Sequence, residues 1–166
     1  DEVVRTPNLD SIAARGAVLE NAYCQSPVCT PSRMSFLTGK LASNISNWNN
    51  HWVLFPEHRT LADHFTEAGY ETCLVGKMHF GGKDQLHGFR HRPYGDFRHG
   101  LGHQPDPIDM FPNSGGVAHA CASQIPESLQ QETVVSAESA AFVLEHTARQ
   151  PDTPWFLCAS YCKPHA

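Results

Sequence analysis

The chain has 166 residues, 40% of them hydrophobic, enough for one domain with a sizeable core. Its net charge of -5, with only 12 Lys and Arg, excludes a basic stripe for nucleic acid, so an anionic ligand would be held by a few focused cations. No apolar run approaches the roughly 20 residues that cross a bilayer, and no signal peptide opens the chain.

In chain order, Thr6 is placed to cap a helix that starts at Pro7, runs through Leu9, Ile12 and Ala13 and stops at Gly16. Asp10 lies inside it as a first-turn carboxylate favoured by the helix dipole. A short strand is predicted over Ala17 to Tyr23, delivering the chain to Cys29. There a second helix is expected, with Pro31 at its first position and Gly39 as the left-handed residue past its end. Cys29 then sits where free backbone N–H groups and the positive dipole end can meet an anion.

Thr60 with Asp63 forms a capping-box variant that opens a helix through Leu61, Phe65 and Ala68, closed by Gly69. Tyr70 to Val75 has the composition of a buried strand. Residues 80–126 lose all periodicity to Gly, Pro, His and Asp, and are expected to form a long loop over the ligand-binding edge of the sheet. Val134, Ala137, Ala141, Leu144 and Ala148 recur at helical steps and predict an amphipathic helix buried along that stripe. Trp155 to Tyr161 is a further short apolar strand. Helix and strand alternate, so the class is α/β with a mainly parallel sheet flanked by helices.

Six cysteines could staple a small secreted domain, but Cys73 and Cys158 fall inside apolar strands, where thiols act as small hydrophobes. A Cys24–Cys29 bridge is not expected, because it would consume a candidate nucleophile. Lys77 and His79 follow one predicted strand, and Lys163 and His165 follow the other. Residues two apart in extended chain face the same side, and open α/β sheets bind ligands beyond the carboxyl ends of their strands. Each pair would therefore project a cation and a proton donor into one crevice. Arg33, four residues after Cys29, is placed to return one helical turn toward it.

The run Cys29-Thr30-Pro31-Ser32-Arg33, continued by Met34-Ser35-Phe36-Leu37-Thr38-Gly39-Lys40, resembles the signature of the formylglycine-dependent sulfatases of the alkaline phosphatase superfamily. The resemblance extends to Thr6-Pro7-Asn8-Leu9-Asp10, to Asn21-Ala22-Tyr23-Cys24-Gln25-Ser26-Pro27-Val28, to Gly76-Lys77-Met78-His79-Phe80, and to Lys163-Pro164-His165. Thr30 stands where the family usually has Ser or Ala, and Met78 where Trp is frequent.

The resemblance implies that a formylglycine-generating or sulfatase-maturating enzyme oxidises Cys29 to an aldehyde, whose hydrate binds a divalent cation, calcium, and attacks the sulfur of a sulfated small molecule or carbohydrate. It implies that Lys77, His79, His165 and, less uniformly across the family, Lys163 contact the sulfate. Arg33 is implied to be buried, steadying the modified side chain and acidic metal ligands. It also implies that residues 1–166 are a single partial catalytic domain: the paired Asp ligands expected before residue 1 are absent, as are the Asp-Asn pair and another Lys expected beyond residue 166. Asp1 in place of Met agrees with a piece of a longer protein, active as the parent and expected to bind metal poorly alone. The parent's compartment is open between export and the cytoplasm.

Several other readings compete. A phosphonate or phosphate ester hydrolase of the same superfamily makes similar demands. A His-rich metal-binding module is suggested by eleven His and by the pairs His87 with His91 and His99 with His103, spaced as zinc ligands on a helix. A Cys-His hydrolase using Cys29 and His79, and a non-catalytic sulfatase-like binding domain, complete the set. Trp48 and Trp52 are better suited to structural roles than to substrate contact.

Overall fold

A computed structural model describes residues 3–95 and 126–163. Their elements are α1 (Pro7–Ala13), α2 (Cys29–Thr38), α3 (Leu61–Glu67), β1 (Glu71–Gly76), β2 (His91–Tyr94), a 3-10 turn (Glu127–Leu129), α4 (Gln131–Arg149) and β3 (Trp155–Ser160). The strands form one parallel sheet in the order β2-β1-β3. Between β1 and β3 the register runs without a break from Glu71 opposite Trp155 to Gly76 opposite Ser160.

β1 is the centre of the molecule, and its alternating side chains build two cores. Leu74 faces one of them, with Met34, Leu37, Ile45, Leu54, Ala62, Met78, Phe80 and Phe89. Cys73 and Val75 face the other, with Tyr94 and Val135. Helices α2 and α3 therefore cover one face and α4 the other, a layered α/β arrangement that agrees with the expected class. The thiol at Cys73 is fully buried, and desolvation pushes its pKa up to about 12, as befits a cysteine used as a small hydrophobe.

The capping box at α3 forms as predicted: the Thr60 side chain accepts from the Asp63 N–H, and the Asp63 carboxylate accepts from the Thr60 N–H at 2.7 Å. At α1 the structure differs. Thr6 occupies the N-cap position, but its hydroxyl donates to the Asp10 carboxylate at 2.8 Å and makes no cap bond to the backbone. No strand forms over Ala17 to Tyr23. That segment is exposed, and among the described residues its Val18, Leu19 and Tyr23 have no neighbouring strand against which β propensity could act.

α4 exists, but turned about its axis. Gln131, Val135, Ser139 and His146 are buried, whereas Leu144 is 71% exposed and Ala137, Ala141 and Ala148 face outward. His146 is held inside because its ring Nε2 lies 2.8 Å from the Thr153 carbonyl oxygen and its ring stacks on Phe142. Polar contacts at the α4 to β3 turn decide the rotation, which apolar spacing alone could not register. Within the stretch expected to be loop, His91–Tyr94 is a strand, paired with β1 at the edge of the sheet, where Pro93 is tolerated. Residues 96–125 of that stretch lie outside the described residues.

Candidate active site

α2 begins at Cys29 itself, with Val28 as N-cap, so Pro31 stands in the first turn two residues later than expected. Gly39 ends the helix in the left-handed conformation (φ 65°), as predicted. The mouth of this helix is partly occupied. The Thr30 N–H donates to Asn50 Oδ1 at 2.9 Å, Pro31 has no N–H, and the Ser32 N–H donates to the Val28 carbonyl at 3.0 Å. A side chain brings positive charge to Cys29. Lys77 Nζ lies 3.8 Å from Cys29 Sγ, reaching across from the segment that follows β1.

The same ammonium lies 3.8 Å from Cys162 Sγ, two residues past the end of β3. Cys29, Lys77 and Cys162 are all half-buried. Cys24, Cys29, Cys73, Cys158 and Cys162 are free thiols, so the Cys24–Cys29 bridge is absent, in line with expectation.

Arg33 is half-buried and ties the three elements together. Its Nη1 donates to the Lys77 carbonyl at 3.0 Å and to Ser160 Oγ at 3.0 Å. Gly76, immediately before Lys77, allows this closeness. It has φ 92°, and a Cβ there would lie 2.1 Å from the Ser160 carbonyl oxygen and 2.8 Å from Val135 Cγ2. His79 adopts φ 58°, so the Lys77 to His79 segment is not the extended chain on which same-side projection was based. Its backbone nevertheless touches the start of α2, because the Thr30 hydroxyl donates to the His79 carbonyl at 3.3 Å.

Lys163 takes a different direction. Its Nζ is 3.8 Å from a Glu132 carboxylate oxygen and its N–H donates to that carboxylate at 3.0 Å, so it is engaged on α4. His165 lies outside the described residues. Cys29, Arg33 and Lys77 are thus brought together, with His79 joined through its backbone. Sequence reasoning missed Asn50, Ser160 and Cys162. Ser160 and Cys162 continue the period-two series Phe156, Cys158 along β3 and were findable on that ground; Asn50, in a loop, carried no signal.

Among the described residues no group of three or more His, Cys, Asp or Glu side chains is arranged to hold a metal ion, so they do not by themselves fit the implied calcium. The His-rich module is not supported at its first pair. His87 is buried in a loop at φ 41° and His91 is in β2 against Glu71, so the two share no helix face. His99 and His103 lie outside the described residues. Among the described residues, no helix is long and apolar enough to cross a membrane.

A Sulfatase family model matches residues 1–166. The chain is 36% identical over 176 residues to choline-sulfatase of Rhizobium meliloti (strain 1021), covering 99% of this chain and 34% of that protein. It is 31% identical over 180 residues to iduronate 2-sulfatase of Homo sapiens, covering 99% of this chain and 32% of that one. Its fold is similar to that of a protein solved in complex with its substrate D-glucosamine-2-N,6-O-disulfate, with a TM-score of 0.72 at 22% identity, over 98% of this chain and 30% of the other. Cys29 and Lys77 meet at the carboxyl edge of a parallel sheet, and the chain belongs to the sulfatase family. It spans about a third of the length of the curated relatives it matches.

Proposed function

We propose that the parent protein is a sulfuric ester hydrolase in which Cys29, converted to formylglycine, is the nucleophile. The observation that carries this reading is the Lys77 ammonium 3.8 Å from Cys29 Sγ, in a chain of this family. Hydration of the aldehyde gives position 29 two hydroxyls. One oxygen attacks sulfur, the bond from sulfur to the ester oxygen breaks, and the alcohol leaves with a proton. The second hydroxyl then loses its proton, the carbon–oxygen bond to sulfate breaks, and the aldehyde is restored.

Lys77 is placed to hold position 29 and to meet the negative oxygens of the group in transit, an electrostatic role in which a lost donor costs on the order of 10²–10³ in rate. His79 is assigned to protonate the leaving oxygen, a task suited to an imidazole near neutral pH. Arg33 maintains the separation of α2 from the strand ends through Lys77 and Ser160. We place His165, and more weakly Lys163, on the sulfate. A calcium ion would need ligands beyond the described residues, and no step is assigned to it. The substrate class proposed is a sulfated carbohydrate or small molecule.

Peptide mass spectrometry across residue 29 of the full-length protein, produced in a host that makes formylglycine, tests the reading. The mass expected is that of a CHO group in place of CH₂–SH. Turnover of an aryl sulfate in preference to the matched aryl phosphonate is the second expected result. An unmodified thiol in such a host, or preference for the phosphonate, would overturn it.

A further inference from the structure

The flanks of Cys162 fix the direction of its side chain. Tyr161 is within hydrogen-bond distance of Ser136 Oγ on α4, at 3.0 Å, and Lys163 is held by Glu132 on the same helix. With alternate residues facing opposite sides, Cys162 is turned to the α2 face, in series with Ser160, which meets Arg33. There its sulfur lies 3.8 Å from Lys77 Nζ, and Cys29 Sγ lies 3.8 Å from the same nitrogen.

An ammonium on a four-carbon stem is a mobile point charge, and ordering such a side chain costs rotamer entropy. Lys77 therefore needs a second fixed contact if its charge is to stay over position 29. Of its two sulfur neighbours, one is replaced on maturation and then makes and breaks bonds in turnover. Cys162 is the neighbour that persists. We infer that Cys162 is a positioning residue that holds the Lys77 ammonium over position 29, and that the mature enzyme is inactivated by thiol reagents although its nucleophile is no longer a thiol. This inference rests on the reading of Cys29 given above.

The test uses the full-length mature protein, with conversion at residue 29 and sulfate release measured first, so that failure of the underlying reading shows before any thiol is modified. Iodoacetamide is then expected to abolish activity in step with carbamidomethylation of Cys162, with inorganic sulfate slowing both. Cys162→Ser keeps a small hydrogen-bond acceptor and cannot be alkylated; it is expected to retain activity within about twofold and to resist the reagent. Cys162→Ala is expected to lower kcat about tenfold with little change in KM, less than the loss of a donor itself, and Ser should rescue it. Full activity after complete alkylation of Cys162, or Cys162→Ala kinetics equal to wild type, would overturn the inference. Inactivation of Cys162→Ser at the wild-type rate would do the same, by locating the sensitive thiol elsewhere.

Discussion

The Arg33 guanidinium donates to the Ser160 hydroxyl at 3.0 Å across 127 positions of sequence, and the same Nη1 donates to the Lys77 carbonyl. One side chain from the second turn of α2 thereby joins the ends of both neighbouring strands. Together with the Lys77 N–H, which donates to the Ser160 carbonyl at 2.9 Å, it closes the carboxyl edge of the sheet under Cys29.

Arg33→Lys tests that clamp. A lysine keeps the charge but ends nearer the backbone, short of where Nη1 sits, so at least one of the two bonds is lost, at about 1–2 kcal/mol. Chemical denaturation of the full-length protein should show a reduced midpoint at unchanged slope, accompanied by reduced sulfate release.

Gly76→Ala should be more damaging. The new Cβ meets the Ser160 carbonyl at 2.1 Å on a backbone held at φ 92°, so strain and overpacking add to a cost on the order of 2–5 kcal/mol. Loss of soluble protein, or a large fall in Tm, is the expected outcome; a Tm close to wild type would contradict the packing described.

Asn50→Ala removes the acceptor for the Thr30 N–H at the start of α2 and should cost about 0.5–2 kcal/mol, the usual range for a lost helix cap. Asn50→Asp retains an acceptor and adds a charge that the helix dipole favours, so its thermal melt should match wild type or exceed it.

His87 makes the fold sensitive to mild acid. Its buried ring packs on Phe80 at 4.4 Å, with Nδ1 3.5 Å from Asp84 and Nε2 without a hydrogen-bond partner among the described residues. Burial holds its pKa below the ordinary 6.5, against the opposing pull of Asp84 and Asp63, while Arg92 adds to the lowering. The unfolded chain thus binds the proton more readily than the folded one, so this contribution is complete above about pH 6.5 and is lost as pH falls through the lowered value. Tm measured between pH 7 and 5 should fall more steeply for wild type than for His87→Asn, which tolerates the left-handed backbone and does not titrate.

Much of this was legible in the chain because the signals are local. The Thr60–Asp63 box, Gly39 past α2 and the apolar runs of β1 and β3 each express a preference satisfied within a few residues. The errors have the opposite character. The rotation of α4 depends on a bond from His146 to Thr153, and the missing strand at residues 17–23 on the lack of a neighbouring strand among the described residues. At the site, Cys29, Arg33 and Lys77 were identifiable from motif residues, whereas the capping of Thr30 by Asn50 was not, because its partner lies 20 residues away in a loop with no pattern of its own.

By itself the sequence determined the alternation of helix and strand, the family and the chemical types gathered near position 29, because covalent spacing and side-chain chemistry suffice for those. Only the tertiary structure decided which donor faces the Cys29 sulfur. The Thr30 and Ser32 N–H groups at the helix mouth are taken by Asn50 and Val28, the chain past β3 turns Cys162 inward and Lys163 outward, and the ammonium beside the Cys29 sulfur is that of Lys77. Direction in space is a property of packed elements, and no local stretch of chain carries it.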